Sequence, residues 1–477
     1  MRRRVSLLLA LLFAAPAAAQ QPAPPPPVPD ARAIAAGYKA LTMCSAVLTA
    51  GRTPEQVQAL ELTGIYPEYD GMLVNMPAQL ERFLPPVARG GGDHFWTATV
   101  SVFYDPAPAL RIARWHPDRG CTLAPIGSTG EAAHDASMRP PVQLFAGSMD
   151  ARPWPSGDRI PAVSTPAALA APVDRAFDGA HYGTGRTTGV VVLRDGRMVA
   201  EHYADGFGPH VGQRTWSVAK SIAGTLAGIA VAEGALHPDS PPPIPEWESD
   251  PRGAITLDQL LRMASGLTNE PAGNRTDATY FGGISVTQEI SSWRVATAPG
   301  SRFRYANNDI LAAIRGLRHA IDDDTRYRAF PRERLFAPLG MTRTVAEADW
   351  QGNFILSSQV WSTARDLARL GQFWLQDGVW EGRRILPEGW MAYMTRASGP
   401  QPASGPRYGA TLWLFGPAQA LPAGSYAAQG NRGQYVMVVP SRNLVIVRRG
   451  EDAAGTRFDI ARFTADLIAA LPEEVRR

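Results

Sequence analysis

Two lysines, Lys39 and Lys220, stand among 47 basic residues in this 477-residue chain. The other basic residues are arginines, 47 − 2 = 45 of them. Arginine cannot lose its proton in a protein. Lysine can, where burial and a neighbouring cation pull its pKa down. Lys220 closes the tetrad Ser217-Val218-Ala219-Lys220. On a helix this spacing puts both side chains on one face, one turn apart. A neutral Lys220 amine could then take the proton of the Ser217 hydroxyl and make it a nucleophile. The competing reading is a capping serine beside a surface lysine.

The elements around the tetrad favour the chemical reading. Ser221 to Gly234 is almost wholly apolar or small. This predicts a helix buried all round and stopped at Gly234. Ser217 then lies in its first turn, where free N–H groups and the helix dipole favour developing negative charge. Before it, Gly189 to Arg194 and Arg197 to His202 read as a hairpin across Asp195-Gly196. After it come Thr256, capping a helix over 257–263, and Ser362 or Thr363, capping Ala364 to Leu375. A second hairpin joins Gly433–Val439 to Asn443–Arg448, and an amphipathic helix over 456–471 follows. Strands near both ends with helices between predict one sheet built from both ends, plus a helical subdomain.

The N-terminal 150 residues are organised differently. Arg2-Arg3-Arg4, an apolar stretch from Leu7 to Phe13 and Ala17-Ala18-Ala19 read as a signal peptide (1–19) cleaved after Ala19. A proline-rich linker (20–30) follows, then an accessory module (31–150). In that module Thr53-Pro54-Glu55-Gln56 starts a helix. Phe95 to Tyr104 and Leu110 to Trp115 read as paired strands. A Pro- and Ala-rich linker (151–178) leads to the main domain (179–473). The expected location is periplasmic or secreted. In an exported chain an isolated cysteine pair is most simply one disulfide, here Cys44 with Cys121.

Composition narrows the partners. The formal charge of +3 is carried by the leader's three arginines, leaving the rest near zero. No basic stripe points to nucleic acid. No apolar run of about 18 residues points to a membrane span. The eight histidines show no metal-ligand spacing, so no metal and no cofactor are expected. The accessory module could shape the cleft or contact the cell wall or a protein.

Two further features follow the tetrad in order. Tyr305-Ala306-Asn307 comes after the turn 298–301, and Gln429-Gly430 comes just ahead of the strand that begins at Gly433. Alone, Tyr305 reads as a core aromatic and Asn307 as a turn residue. With all three features in this order, residues 180–470 resemble the serine β-lactamase and penicillin-binding-protein superfamily. Within it, they resemble the class C-like branch of esterases, D-peptidases and 6-aminohexanoate-oligomer hydrolases. The phrases Thr256–Leu267 and Leu335–Met341 support the resemblance.

The resemblance implies an α/β (α+β) fold, an antiparallel sheet flanked by helices with a helical subdomain. It implies that Ser217 attacks a carbonyl while Lys220, with the Tyr305 phenol, accepts its proton and later returns one. Asn307, beside Tyr305 on an extended loop, would hydrogen-bond Lys220 and a substrate amide. The oxyanion hole would be the Ser217 N–H plus one from the edge strand Gln429-Gly430, at Asn431. In one respect the chain departs from the family. Relatives that grip a substrate carboxylate carry a cation in the triplet that is Ala428-Gln429-Gly430 here, and Arg432 is out of register. A carboxylate without that partner loses about 1.5–3 kcal/mol. This favours an exported serine hydrolase acting on small neutral esters or linear amides. A β-lactamase or D-Ala-D-Ala peptidase is the alternative, and a sensor or wall-binding module with little turnover is a third reading.

Overall fold

The computed structural model of the chain describes residues 30–83, 97–105, 109–128, 150–160, 165–268 and 276–471. The leader and nearly all of the proline-rich tether expected before Asp30 lie outside them. Among the described residues no helix is long and apolar enough to cross a membrane.

Seven strands form an antiparallel sheet. Across the sheet they are Arg407–Tyr408, Trp413–Phe415, Ser425–Gly430, Gln434–Val439, Leu444–Gly450, Thr187–Arg194 and Arg197–Tyr203. The strand Leu444–Gly450 pairs with Thr187–Arg194, so the sheet joins segments far apart in the chain, as expected. The apolar run Val190–Leu193 explains the centre of the sheet. Its alternate residues serve two cores. Val191 and Leu193 pack on the face that carries the helix Val218–Ala232. Val190 and Val192 pack on the other face, with Leu169, Phe463 and Leu467 from helices Ala167–Arg175 and Ile460–Ala470. Each fully buried valine contributes about 1.5–3 kcal/mol.

Helix Val218–Ala232 is buried along its first thirteen residues, as its sequence predicts. The helix Asn308–Ile321 and the capped helix Leu257–Leu261 belong to the helical layer around it. A small three-stranded sheet, ordered Gln213–Arg214, Val360–Ser362, Val345–Ala346, fixes the chain leading into Ser217.

Strand ends shift by one or two residues, and two helix boundaries differ from the sequence reading for a visible reason. The last helix begins at Ile460, because Asp459 supplies the cap and Phe458 is drawn aside to pack on Tyr182 and Phe463. The helix capped by Thr256 ends at Leu261, and Met263 turns into the left-handed region at φ 60°.

At the N-terminal end, helices Ala31–Cys44, Pro54–Leu60 and Pro67–Leu73 accompany a four-stranded antiparallel meander, Ala78–Phe83, Thr97–Phe103, Leu110–His116 and Gly120–Leu123. Thr53 and Gln56 form the capping box expected of them. Cys44 and Cys121 are disulfide-bonded. This part is not a loose appendage. Its apolar residues belong to the same core cluster as helix Val218–Ala232. Buried Arg111 donates to Ala33 O (2.8 Å) and to Phe281 O (2.9 Å) across the junction. In the span expected to link the two parts, Arg369 donates to Pro155 O (2.7 Å) and its guanidinium lies over the Trp154 ring.

Candidate active site

Ser217 is the N-cap of its helix, yet its side chain makes no capping bond. The Oγ therefore remains available. Lys220 Nζ lies 3.0 Å from Ser217 Oγ, 2.7 Å from Asn307 Oδ1 and 2.8 Å from Ser357 O. Lys220 is 1 % exposed. Burial above all, and then the Arg214 cation, pull its pKa down to about 7. A neutral amine has two N–H donors and one lone pair. Asn307 Oδ1 and Ser357 O can only accept, so they take the two hydrogens. The lone pair is left for the Ser217 O–H. Asn307 is held in the required orientation by donating from Nδ2 to Thr276 Oγ1 at 3.3 Å.

Burial holds the Tyr305 phenol well above the usual range, against an opposing pull from the nearby Ser217 hydroxyl. It is therefore a neutral donor near pH 7. Its ring packs against Trp413 (5.4 Å) and Tyr408 (5.9 Å), and Lys220 Nζ lies 5.1 Å from its centroid. Ser217, Lys220, Tyr305 and Asn307 thus meet in one place. One detail differs from expectation. Asn307 is not in an extended loop but holds the N-cap position of helix Asn308–Ile321, with φ −78° and ψ −33° and no capping bond from its side chain. Buried Asp309, in the same helix, accepts from Ser265 Oγ at 2.8 Å. This bond ties the head of the helix to the segment that ends in Ser265-Gly266-Leu267. Gly266 is needed there: its φ is +76°, and a Cβ would sit 2.2 Å from Thr297 O.

Strand Ser425–Gly430 approaches the nucleophile from the sheet. It is an edge strand only in part. Trp413–Phe415 covers Ser425 to Ala427, and beyond Ala427 that side carries no register partner among the described residues. A Cβ on Gly430 would meet Thr215 O at 2.2 Å and Ser217 N at 3.2 Å. Only glycine permits this approach. Strand alternation sets Ala428 and Gly430 on the nucleophile face and Gln429 on the face of Ala427 and Tyr435. The Gln429 side chain is therefore not gathered with the other four residues. Asn431 is exposed at the turn that follows.

Arg432 has no freedom to reach a substrate. It is 6 % exposed, bonds Glu61 at 2.7 Å and Glu451 at 2.5 Å, and donates to Leu60 O and Asp452 O.

Three neighbours carry no motif in the sequence. Arg214 stacks its guanidinium 3.9 Å over the Trp216 ring and donates to Ser358 Oγ at 2.7 Å. Trp216 adopts φ +51° in the turn that presents Ser217. Ser357 contributes only a backbone oxygen, which no side-chain pattern could reveal.

A family model described as Beta-lactamase matches residues 173–470. The chain belongs to the Beta-lactamase family. Membership agrees with the fold and with the resemblance carried by the three ordered motifs. The 6-aminohexanoate-dimer hydrolase of Paenarthrobacter ureafaciens is 29 % identical over 301 residues, covering 55 % of this chain and 72 % of the relative. A putative beta-lactamase from Bacteroides dorei DSM 17855 shares the fold at 20 % identity and TM-score 0.52, covering 64 % of this chain and 97 % of that one. A family VIII carboxylesterase does so at 15 % identity and TM-score 0.51, covering 63 % and 96 %. This Beta-lactamase family member is a hydrolase, with a dimer hydrolase among its sequence relatives and a carboxylesterase among its structural ones.

Proposed function

We propose that the protein is an exported serine hydrolase that cleaves esters or linear amides through an acyl-enzyme on Ser217. One observation carries the reading: a buried lysine, pulled down to about 7, has two fixed acceptors for its hydrogens and a lone pair aimed at Ser217 Oγ. In the first step Ser217 Oγ attacks the carbonyl carbon as its proton passes to Lys220 Nζ. The oxyanion forms against the N–H of Ser217 and that of Asn431. As the bond to the leaving group breaks, the proton returns through the neutral Tyr305 phenol to the departing oxygen or nitrogen. Water then repeats the attack on the acyl-enzyme, with Lys220 again as base, and releases the acid. Asn307 both orients Lys220 and can bind a substrate amide.

Substrate class follows from charge. Positions 428–430 hold no cation, and Arg432 is consumed by Glu61, Glu451 and two carbonyl oxygens. A carboxylate beside the scissile bond would find no partner on this strand, so a neutral ester or amide fits better. The name of the Paenarthrobacter ureafaciens relative supports the amide half of this reading. Export is supported by the basic, apolar and small-residue leader together with the Cys44–Cys121 bond.

The test is turnover of p-nitrophenyl butyrate, 6-aminohexanoate dimer and nitrocefin, with Ser217→Ala as control. Intact-mass detection of the acylated protein accompanies it. Undiminished turnover by Ser217→Ala would remove the mechanism. A wild-type preference for nitrocefin would replace the ester-or-amide assignment with a β-lactamase.

A further inference from the structure

The turn after Gly430 is anchored by the N-terminal part of the chain. Gly430 pairs with Gln434, so Asn431-Arg432-Gly433 is a three-residue connection between two strands. Its middle residue, Arg432, holds the left-handed conformation at φ +58°, which is uncommon for a residue other than glycine and costs energy that its surroundings must offset. Its side chain enters a buried quartet. Arg432 meets Glu61 at 2.7 Å, a residue 371 positions away. It also meets Glu451 at 2.5 Å, and Arg52 bonds both Glu61 and Glu451. None of the four side chains is more than 4 % exposed. Two cations and two anions balance, as buried charges must. Arg432 further donates to Leu60 O (2.6 Å) and Asp452 O (3.1 Å).

The same N-terminal stretch reaches the other shoulders of the site. Tyr66 lies 6.4 Å, ring to ring, from Trp216, the residue before the nucleophile. Tyr69 donates to Asp277 Oδ2 at 2.6 Å, next to the Thr276 that orients Asn307. Residues 61–69 therefore touch the segments that carry Ser217 and Asn431, and the segment whose Thr276 orients Asn307.

We propose that Glu61 is a positioning residue for hydrolysis: by clamping Arg432 it holds the Asn431 N–H where the oxyanion forms, which makes the N-terminal module part of the hydrolytic unit. The proposal rests on the reading of Ser217 as nucleophile and Asn431 as the second oxyanion donor. Deleting an oxyanion donor lowers kcat by about 10²–10³-fold. Loosening one should lower it at least about tenfold without weakening ground-state binding.

Two variants of the full chain test this. Glu61→Gln removes the anion. Arg432→Lys keeps the buried charge but loses the fork that reaches Leu60 O and Asp452 O, so it supplies a folded comparison where Glu61→Gln is unstable. Each is assayed on p-nitrophenyl butyrate and with phenylboronic acid, which closes to a tetrahedral anion on a serine oxygen. The expected result is kcat down at least about tenfold, KM within about threefold, and the boronate Ki raised by the same factor as kcat/KM falls. A merely structural role would leave the Ki of the folded fraction unchanged. A folded variant with kcat within about twofold of wild type, or with reduced kcat and unchanged boronate Ki, overturns the proposal. Ser217→Ala beside them separates the two claims. If it is fully active, the site reading falls and this proposal with it. If it is inactive while Glu61→Gln is active, only the positioning role falls.

Discussion

Replacing Lys220 by arginine keeps a positive charge on a long side chain and removes the one property the site requires. With Lys220 at about 7, roughly three quarters of the molecules carry a free amine at pH 7.5. An arginine there would be neutral in fewer than about one molecule in 10⁴. A guanidinium also has no lone pair to offer Ser217 Oγ. General-base catalysis is worth about 10²–10⁴-fold, and Lys220→Arg should lose that much kcat on p-nitrophenyl butyrate. A buried permanent cation near Arg214 lowers stability, so Lys220→Met, neutral and of similar length, is the companion variant. It should be equally inactive and folded.

Stability supplies an independent reading of the same group. Lys220's folded pKa, about 7, lies below the ordinary 10.5. Between those values the unfolded chain holds a proton that the native state has released, so raising the pH stabilises the native state across that window. Below pH 7 both states are protonated and the wild type carries the full penalty of burying an ammonium. Lys220→Met has no such penalty. It also loses the bonds to Asn307 and Ser357, an offset that does not change with pH. The Tm difference between Lys220→Met and wild type should therefore be most favourable to Met at pH 6 and shift toward wild type by pH 9. In wild type, kcat/KM should rise through an acidic limb near pH 7. A Lys220→Arg enzyme with more than about a tenth of wild-type kcat would refute the proton-transfer role, and a Tm difference independent of pH would refute the depressed pKa.

Gly430→Ala would set a Cβ 2.2 Å from Thr215 O, forcing the strand away from Ser217. An error of about 1 Å costs on the order of 10²-fold in kcat, with the circular dichroism spectrum unchanged, and a variant within about threefold of wild type would contradict the close approach. Wild type should prefer p-nitrophenyl butyrate to nitrocefin by roughly 10–150-fold in kcat/KM, the equivalent of one missing charge-assisted bond; measuring both constants decides it. Cys44→Ser should lower stability by about 2–4 kcal/mol in urea melts, and mass spectrometry of alkylated, non-reduced protein should find neither Cys44 nor Cys121 labelled.

Local chemistry made part of this protein legible before folding was considered. The Ser217–Lys220 spacing, the buried helix behind it, the Thr53 and Thr256 capping boxes and the Asp195-Gly196 hairpin depend on residues within a few positions of one another. The rarity of lysine pointed to Lys220 for the same reason, since a side chain's capacity to deprotonate is a property of its type. Contacts between distant segments were not legible. The depressed pKa of Lys220 needs Arg214 and the surrounding burial. Its proton inventory needs Ser357 O, a backbone atom that any residue could have supplied. Arg432 looked like a stray cation beside the substrate strand. Tertiary structure assigned it to Glu61, 371 residues away, because a charge taken out of water must find its opposite wherever the chain brings one near.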